Sequence, residues 1–267
     1  MKNVFQGLAQ LATGIVLFAS CSKNYNPPGD GGSPHPDPQV EKVVVTAAGD
    51  SASIVEKLTQ FRQLLGDPLN VAPGARGGRR EVNWDGVPAN FTNNNNFPFD
   101  FFGSSDPAAA NGRKRGLIYQ ADAVFRVDST DFSEIDRSYA AQFEPFSRKR
   151  LFAFINDNVS DITFKVPGTD SAAFVNGFGI IFSDVDAANY TTVEFFNKNR
   201  SLGVFKALPA AQGFSFVGVV FNNEKVTRIK ITAGNGILGP GQKDISDGGA
   251  YDLVVMDDFL YGEPRAL

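Results

Sequence analysis

The clearest period in the chain lies in residues 50–66, where Ile54, Leu58, Phe61, Leu64 and Leu65 recur at spacings of three and four. That spacing lines one face of an α-helix with apolar side chains and predicts an N-terminal amphipathic helix over 51–65. Asp50, Ser51 and Ser53 offer N-caps, Ser53 with Glu56 fits a capping box, and Gly66 followed by Pro68 closes the helix. From Leu117 onward the pattern becomes that of β-structure. Runs rich in Phe, Val, Ile and Thr recur at 122–128, 150–155, 159–166, 178–184, 191–197, 202–206, 214–221, 226–232 and 251–260, and 43–46 adds an earlier one. In 226–232, alternate positions separate Val226, Arg228 and Lys230 from Thr227, Ile229 and Ile231, so that strand has two unlike faces. In 193–196 the alternation fails, which predicts burial on both sides. Gly, Asn, Asp or Pro punctuate the runs, and no βαβ rhythm interrupts them. The pattern predicts a mostly β domain, an antiparallel β-sandwich, with that one short helix.

Two stretches carry no period. Residues 72–80 (APGARGGRR) are Gly-rich but lack the Gly-Lys-Ser/Thr that closes a phosphate loop. Residues 89–112 form a long irregular loop holding Phe97, Phe99, Phe101 and Phe102. The phenylalanines are expected to pin the loop to the sandwich; exposed together, they would mark a partner surface.

The start of the chain has another logic. Residues 1–20 carry one charge, Lys2, and end in an apolar run with small residues, as a secretory signal peptide does. Phe18-Ala19-Ser20-Cys21 resembles the lipobox of bacterial lipoproteins, with Phe18 standing where an aliphatic residue is usual. The resemblance implies that Cys21 is the lipid attachment site and the new N-terminus. Residues 22–39 hold 5 Pro and 3 Gly in 18 positions, so 21–39 reads as an acylated Cys followed by an extended tether. The expected organisation is a signal at 1–20, the tether at 21–39 and one folded domain at 40–267. The chain is then exported and lipid-anchored to the cell envelope, at the outer membrane.

Composition narrows the chemistry. The chain's one His, His35, lies in the tether and its one Cys is Cys21. The folded part therefore has no imidazole for Ser-His-Asp or Cys-His catalysis, no Cys/His zinc set and no disulfide. Removing residues 1–20 takes the formal net charge from −4 to −5, which argues against nucleic acid as a partner.

Three segments are distinctive: Gly78-Arg79-Arg80-Glu81-Val82-Asn83-Trp84-Asp85-Gly86-Val87, Val175 to Asp186, and Asp252-Leu253-Val254-Val255-Met256-Asp257-Asp258-Phe259-Leu260-Tyr261-Gly262-Glu263-Pro264. Together they resemble a family of secreted bacterial proteins with no established activity, over residues from about 50 to the end. A looser resemblance is to jelly-roll carbohydrate-binding modules, which often hold a structural calcium near their terminal strands. That second likeness concerns fold alone.

Residues that suit binding follow. Trp84 is the only Trp; beside polar Asn83 and Asp85, an exposed ring would suit a sugar, whereas a buried one would be core. Asp184 and Asp186 share a face if their strand continues. Asp257 and Asp258 sit in an apolar run, so one of them points inward and needs Arg79, Arg80, Arg150 or a metal. Asp184, Asp186 and Asp257 or Asp258 are thus candidate calcium ligands; otherwise Asp184 and Asp186 cap a turn. Asp85, Asp100, Glu144 and Glu194 are available to a carboxylate-based glycan hydrolase or lyase, but no spacing selects a pair. The leading expectation is a non-catalytic module binding a glycan or another envelope molecule. A structural or adhesive protein with a protein partner is the alternative.

Overall fold

The amphipathic stretch forms the helix its period predicts. α1 spans Ser51–Leu65, and the Asp50 carboxylate caps it by accepting from Ser53 N at 2.9 Å and Ser53 Oγ at 2.7 Å. Ser53 therefore stands three residues inside the cap as a donor, and Glu56, one turn on, is exposed instead of closing a capping box. Gly66, at φ 95°, ends the helix.

The structure is a computed structural model that describes residues 40–267; the signal, Cys21 and the tether lie outside the described residues. Two antiparallel sheets make up the domain. The first runs β1 (Lys42–Gly49), β11 (Ala210–Phe221), β8 (Gly177–Val185), β13 (Val255–Gly262), β5 (Leu151–Phe154) and β4 (Phe125–Asp128), with β2 (Arg79–Val82) also on β13. The second runs β10 (Arg200–Lys206), β9 (Thr192–Asn197), β12 (Arg228–Thr232), β6 (Val159–Lys165), β7 (Ala172–Phe174) and β14 (Arg265–Ala266), with β3 (Leu117–Tyr119) also on β6. The fold is the expected mostly β sandwich with a single α-helix.

Alternation along each strand builds the core. Phe178, Ile180 and Phe182 of β8 join Val217, Val219 and Phe221 of β11 on the first sheet's inner face. Val193 and Phe195 of β9, Ile229 and Ile231 of β12, and Ile162 and Phe164 of β6 meet them from the second. The first sheet's outer face is covered too: Ile54, Leu58, Phe61 and Leu65 of α1 pack on Ile181, Phe214, Phe216 and Leu260. Gly179 and Gly218 are cross-strand partners there, and a Cβ on either would stand 2.6–2.7 Å from the Phe61 ring. The paired glycines thus open the slot that seats the helix.

β9 meets the expectation of burial on both sides in part, since Phe196 on its outer face is buried as well. Val193 and Phe195 face the core, while Glu194 turns outward to pair with Lys230 at 2.9 Å and Phe196 lies beneath the Arg228 guanidinium, 3.6 Å from its ring centroid. The broken alternation in the sequence reflects a cation–π lid on an outward aromatic rather than a second apolar layer.

β13 carries one irregularity that organises its surroundings. Met256 stands opposite Phe182 and Phe259 opposite Ile180, so Asp257 and Asp258 form a β-bulge against a single residue, Ile181. On its other edge β13 pairs with β5 at Met256 and with β2 from Phe259 to Gly262, so the bulge lies where one partner gives way to the next. Among the described residues no helix is long and apolar enough to cross a membrane.

Candidate functional site

Trp84 follows β2 in a tight turn at φ 64°, with Val87 N donating to Trp84 O at 2.9 Å. Arg150 holds this turn by donating to the carbonyls of Trp84 and Val87. Trp84 is 1% exposed, so of the two readings its neighbours allow, it takes the core one and does not offer its ring as a sugar-stacking platform. It stacks on Phe152 at a centroid separation of 4.0 Å and meets Phe102 and Phe259 edge-on. Its Nε1 donates to Asp257 O in the bulge at 3.2 Å. The long loop explains the burial. Phe97, Phe101 and Phe102 are themselves buried; Phe97 and Phe102 close over the indole and Phe101 packs on both, pinning the loop as the sequence predicts, with Phe99 left more open.

A cleft of about 230 Å³ opens between the Trp84 turn and this loop. Trp84, Phe101 and Phe102 give it an apolar lining, and Asn83, Arg113 and Arg115 add polar groups. Arg113 lies over the Phe101 ring at 4.5 Å and donates to Phe101 O. Arg115 donates to Asn70 O at 3.1 Å, and burial, with Arg80 nearby, makes its charge less favourable than usual. Among the described residues neither arginine forms an ion pair. Glu81, the carboxylate that also lines the cleft, is committed to Arg62 and Arg79. The cleft is therefore apolar at its base with two uncompensated guanidinium groups, an arrangement that accepts a small ligand carrying negative charge. Asp85 does not join it. Its Oδ1 accepts from Lys149 N at 3.4 Å, and it lines a separate hollow with Arg148, Lys149 and Arg150. Sequence reasoning missed Arg113 and Arg115; the signal available was two arginines directly after a Phe-rich loop with no acid between them.

The four aspartates do not form one centre. Asp257 and Asp258 share the bulge, and among the described residues no arginine forms an ion pair with either: Arg79 pairs with Glu81 and Asp67, Arg80 with Glu263, and Arg62, paired with Glu81, only partly offsets the charge of Asp258. Instead Ser147 bridges them, its Oγ lying 3.1 Å from Asp257 Oδ1 and 2.6 Å from Asp258 Oδ1. Phe146 N and Ser147 N donate to Asp257 Oδ2 at 2.6 and 3.0 Å. Burial raises both carboxyl pKa values, Asp257 well above the usual range because the Asp258 charge adds to it. A proton shared within this pair is held more tightly when folded than when unfolded. Stability from this pair is therefore full below the ordinary Asp pKa of about 4 and declines as pH rises through the raised values. Asp257→Asn keeps an acceptor for Phe146 N and removes the titration. Urea unfolding from pH 4 to 8 should show a flatter decline for the variant, whereas parallel profiles would count against a shared proton.

Asp184 and Asp186 do come together, with Asp244 as the third member of the group rather than Asp257 or Asp258. Asp244 was not singled out in the sequence because it lies about 60 residues away in an irregular segment. No protein-family model, curated protein or solved structure matches this chain.

Proposed function

We propose that this chain is an exported bacterial lipoprotein, anchored through Cys21 to the outer membrane, whose sandwich binds an acidic glycan of the envelope without catalysing a reaction. The observation that carries the reading is the pair of arginines without carboxylate partners, Arg113 and Arg115, at the cleft beside Trp84. A guanidinium recognises a carboxylate through charge-assisted hydrogen bonds. Asn83 supplies a neutral hydrogen-bonding group on the same cleft. The signal-like first 20 residues and the lipobox-like segment at Cys21 support export and anchoring.

The test is titration of the purified chain with oligosaccharides bearing uronic acids and with their neutral counterparts, beside Cys21→Ser protein assayed for release from membranes. Acidic sugars should bind and neutral ones should not, with Arg113→Ala or Arg115→Ala weakening binding about tenfold or more, the scale of a lost charged hydrogen bond. Equal affinity for both sugar types would remove the charge argument. No binding of either, with the protein folded, would move the function to a protein partner.

A further inference from the structure

We propose that Asp184, Asp186 and Asp244 form a binding site for a hard divalent cation of the calcium type. One carboxylate oxygen from each lies within 4.8 Å of the others. Oxygens that bind one calcium at 2.3–2.6 Å stand at most about 5 Å apart, so a single ion can reach all three.

The placement of the three explains why they meet. Asp184, the last residue but one of β8, has φ 67° and lies next to the point where β11 breaks register between Ala210 and Phe214. Asp186 follows two residues later. Asp244 caps the short 3₁₀ turn Ile245–Asp247, its Oδ1 accepting from Ser246 N at 2.9 Å and its Oδ2 from Leu253 N at 2.6 Å. A fourth acid, Asp252, holds the turn after β8, accepting from Asp186 N at 3.0 Å and Ala187 N at 3.2 Å.

A count of donors sets this group apart from an ordinary cluster of surface acids. Asp184 is fully buried, and only its Oδ1 is satisfied, by Gln212 N at 2.6 Å. Its Oδ2 has no hydrogen-bond donor; the Asp186 carboxyl is its close neighbour, and the charges of Asp244 and Asp252 act on it. Asp186 Oδ1 is likewise buried without a donor, its Oδ2 being taken by Ser246 N at 3.1 Å. Among the described residues no Lys or Arg forms an ion pair with Asp184, Asp186, Asp244 or Asp252. Buried carboxylate oxygens without donors are costly and settle either by taking up protons or by binding a cation. Burial first, and the neighbouring acids after it, push Asp184 up to about 6 and Asp186 up to about 8. The donor set is all carboxylate oxygen, which suits calcium or magnesium and disfavours soft metals. An unmatched cluster of three to four acids on loops of irregular shape favours calcium, whose coordination is the less rigid of the two. Three carboxylates leave further positions to main-chain carbonyls and water. None of these residues lines the cleft beside Trp84, so this site stands independently of the glycan reading.

The experiment is calorimetric titration and thermal unfolding of the purified full-length chain, stripped with chelator, against CaCl₂, MgCl₂ and MnCl₂. Calcium should bind and, at about a hundredfold over its Kd, raise Tm by about 5–10 °C, with magnesium giving a smaller shift. Asp186→Asn retains an acceptor for Ser246 N. It should unfold at an equal or higher temperature without metal, because it removes one of the crowded charges, and should bind calcium at least tenfold more weakly. Asp257→Asn, in the separate bulge, should respond to calcium as the unaltered chain does. No heat and no change in Tm at about 10 mM of any of the three ions would overturn the site, since even weak extracellular calcium modules bind below that level. An undiminished calcium response in Asp186→Asn would overturn the assignment of these residues.

Discussion

Trp84→Ala should destabilise the folded domain by about 3–5 kcal/mol, the range for removing a large aromatic from a close-packed core. The estimate rests on the ring's 1% exposure, its stacking on Phe152 and the aromatic side chains that close over it. Two further losses act in the same direction. Asp257 O forfeits the indole N–H in the bulge, and the loop carrying Phe97, Phe101 and Phe102 loses the surface it is packed on. Against a total stability of about 5–15 kcal/mol, such a change brings the domain close to unfolding. Chemical denaturation followed by circular dichroism measures it, because the variant lacks the chain's one Trp and its fluorescence. A loss below about 1 kcal/mol would mean that the ring belongs to the surface after all.

Breaking the Arg80–Glu263 pair should have an effect of similar size. Both side chains are essentially inaccessible, at 0% and 2%, and they meet through two parallel bonds of 2.8 Å. Asn70 Nδ2 also donates to Glu263, and Arg80 reaches Ala72 O, so the pair is embedded in a satisfied network. Glu263→Gln leaves a guanidinium buried without a counter-charge beside Arg115 and should cost about 3–5 kcal/mol. Replacing both partners with leucine should recover much of that loss, since paired removal leaves no unmatched charge. The exposed Lys165–Asp170 pair is the contrast, expected to contribute about 0–1 kcal/mol. A double-mutant cycle in urea checks all of this; additive losses would show that the two charges do not depend on each other.

What the sequence revealed depended on whether the information was local. α1 was legible because its caps and its apolar face lie within one short segment, Asp50 to Gly66, and most strands because runs of Phe, Val and Ile, several of them alternating, extend over six or more positions. β2, β3, β7 and β14 escaped notice because each has only two to four residues, too few for a period to emerge, whereas the equally short β4 and β5 showed through their density of Phe, Val and Leu. β2 is also disguised by composition: Arg-Arg-Glu-Val looks solvated, yet Arg80 is buried against a glutamate 183 residues away. Trp84 stayed ambiguous for the same reason. Its neighbours Asn83 and Asp85 are polar, and nothing near it announces that a loop more than ten residues later folds back over the ring. Of the acids, Asp184 and Asp186 were found through their spacing, whereas Asp244 is brought to them only by tertiary structure. The reading that one of Asp257 and Asp258 points inward fell short, since both are buried: a bulge abolishes the alternation on which it relied.

The position of β13 has a consequence for how the chain acquires its structure. This late strand lies inside the first sheet, between β8 and the early strands β2 and β5, and β1 is paired with β11. Nearly every contact that closes the sheet joins residues far apart in the chain. Topologies of that kind fold slowly, because loop closure precedes the contacts that reward it. A nascent chain lacking residues 255–262 has no partner for β2 and an open edge on β8, so it stays without its native sheet until those residues are present. On the proposed reading of an exported chain, such a delay would keep the polypeptide threadable, because the order of the strands itself holds the domain back from closing early.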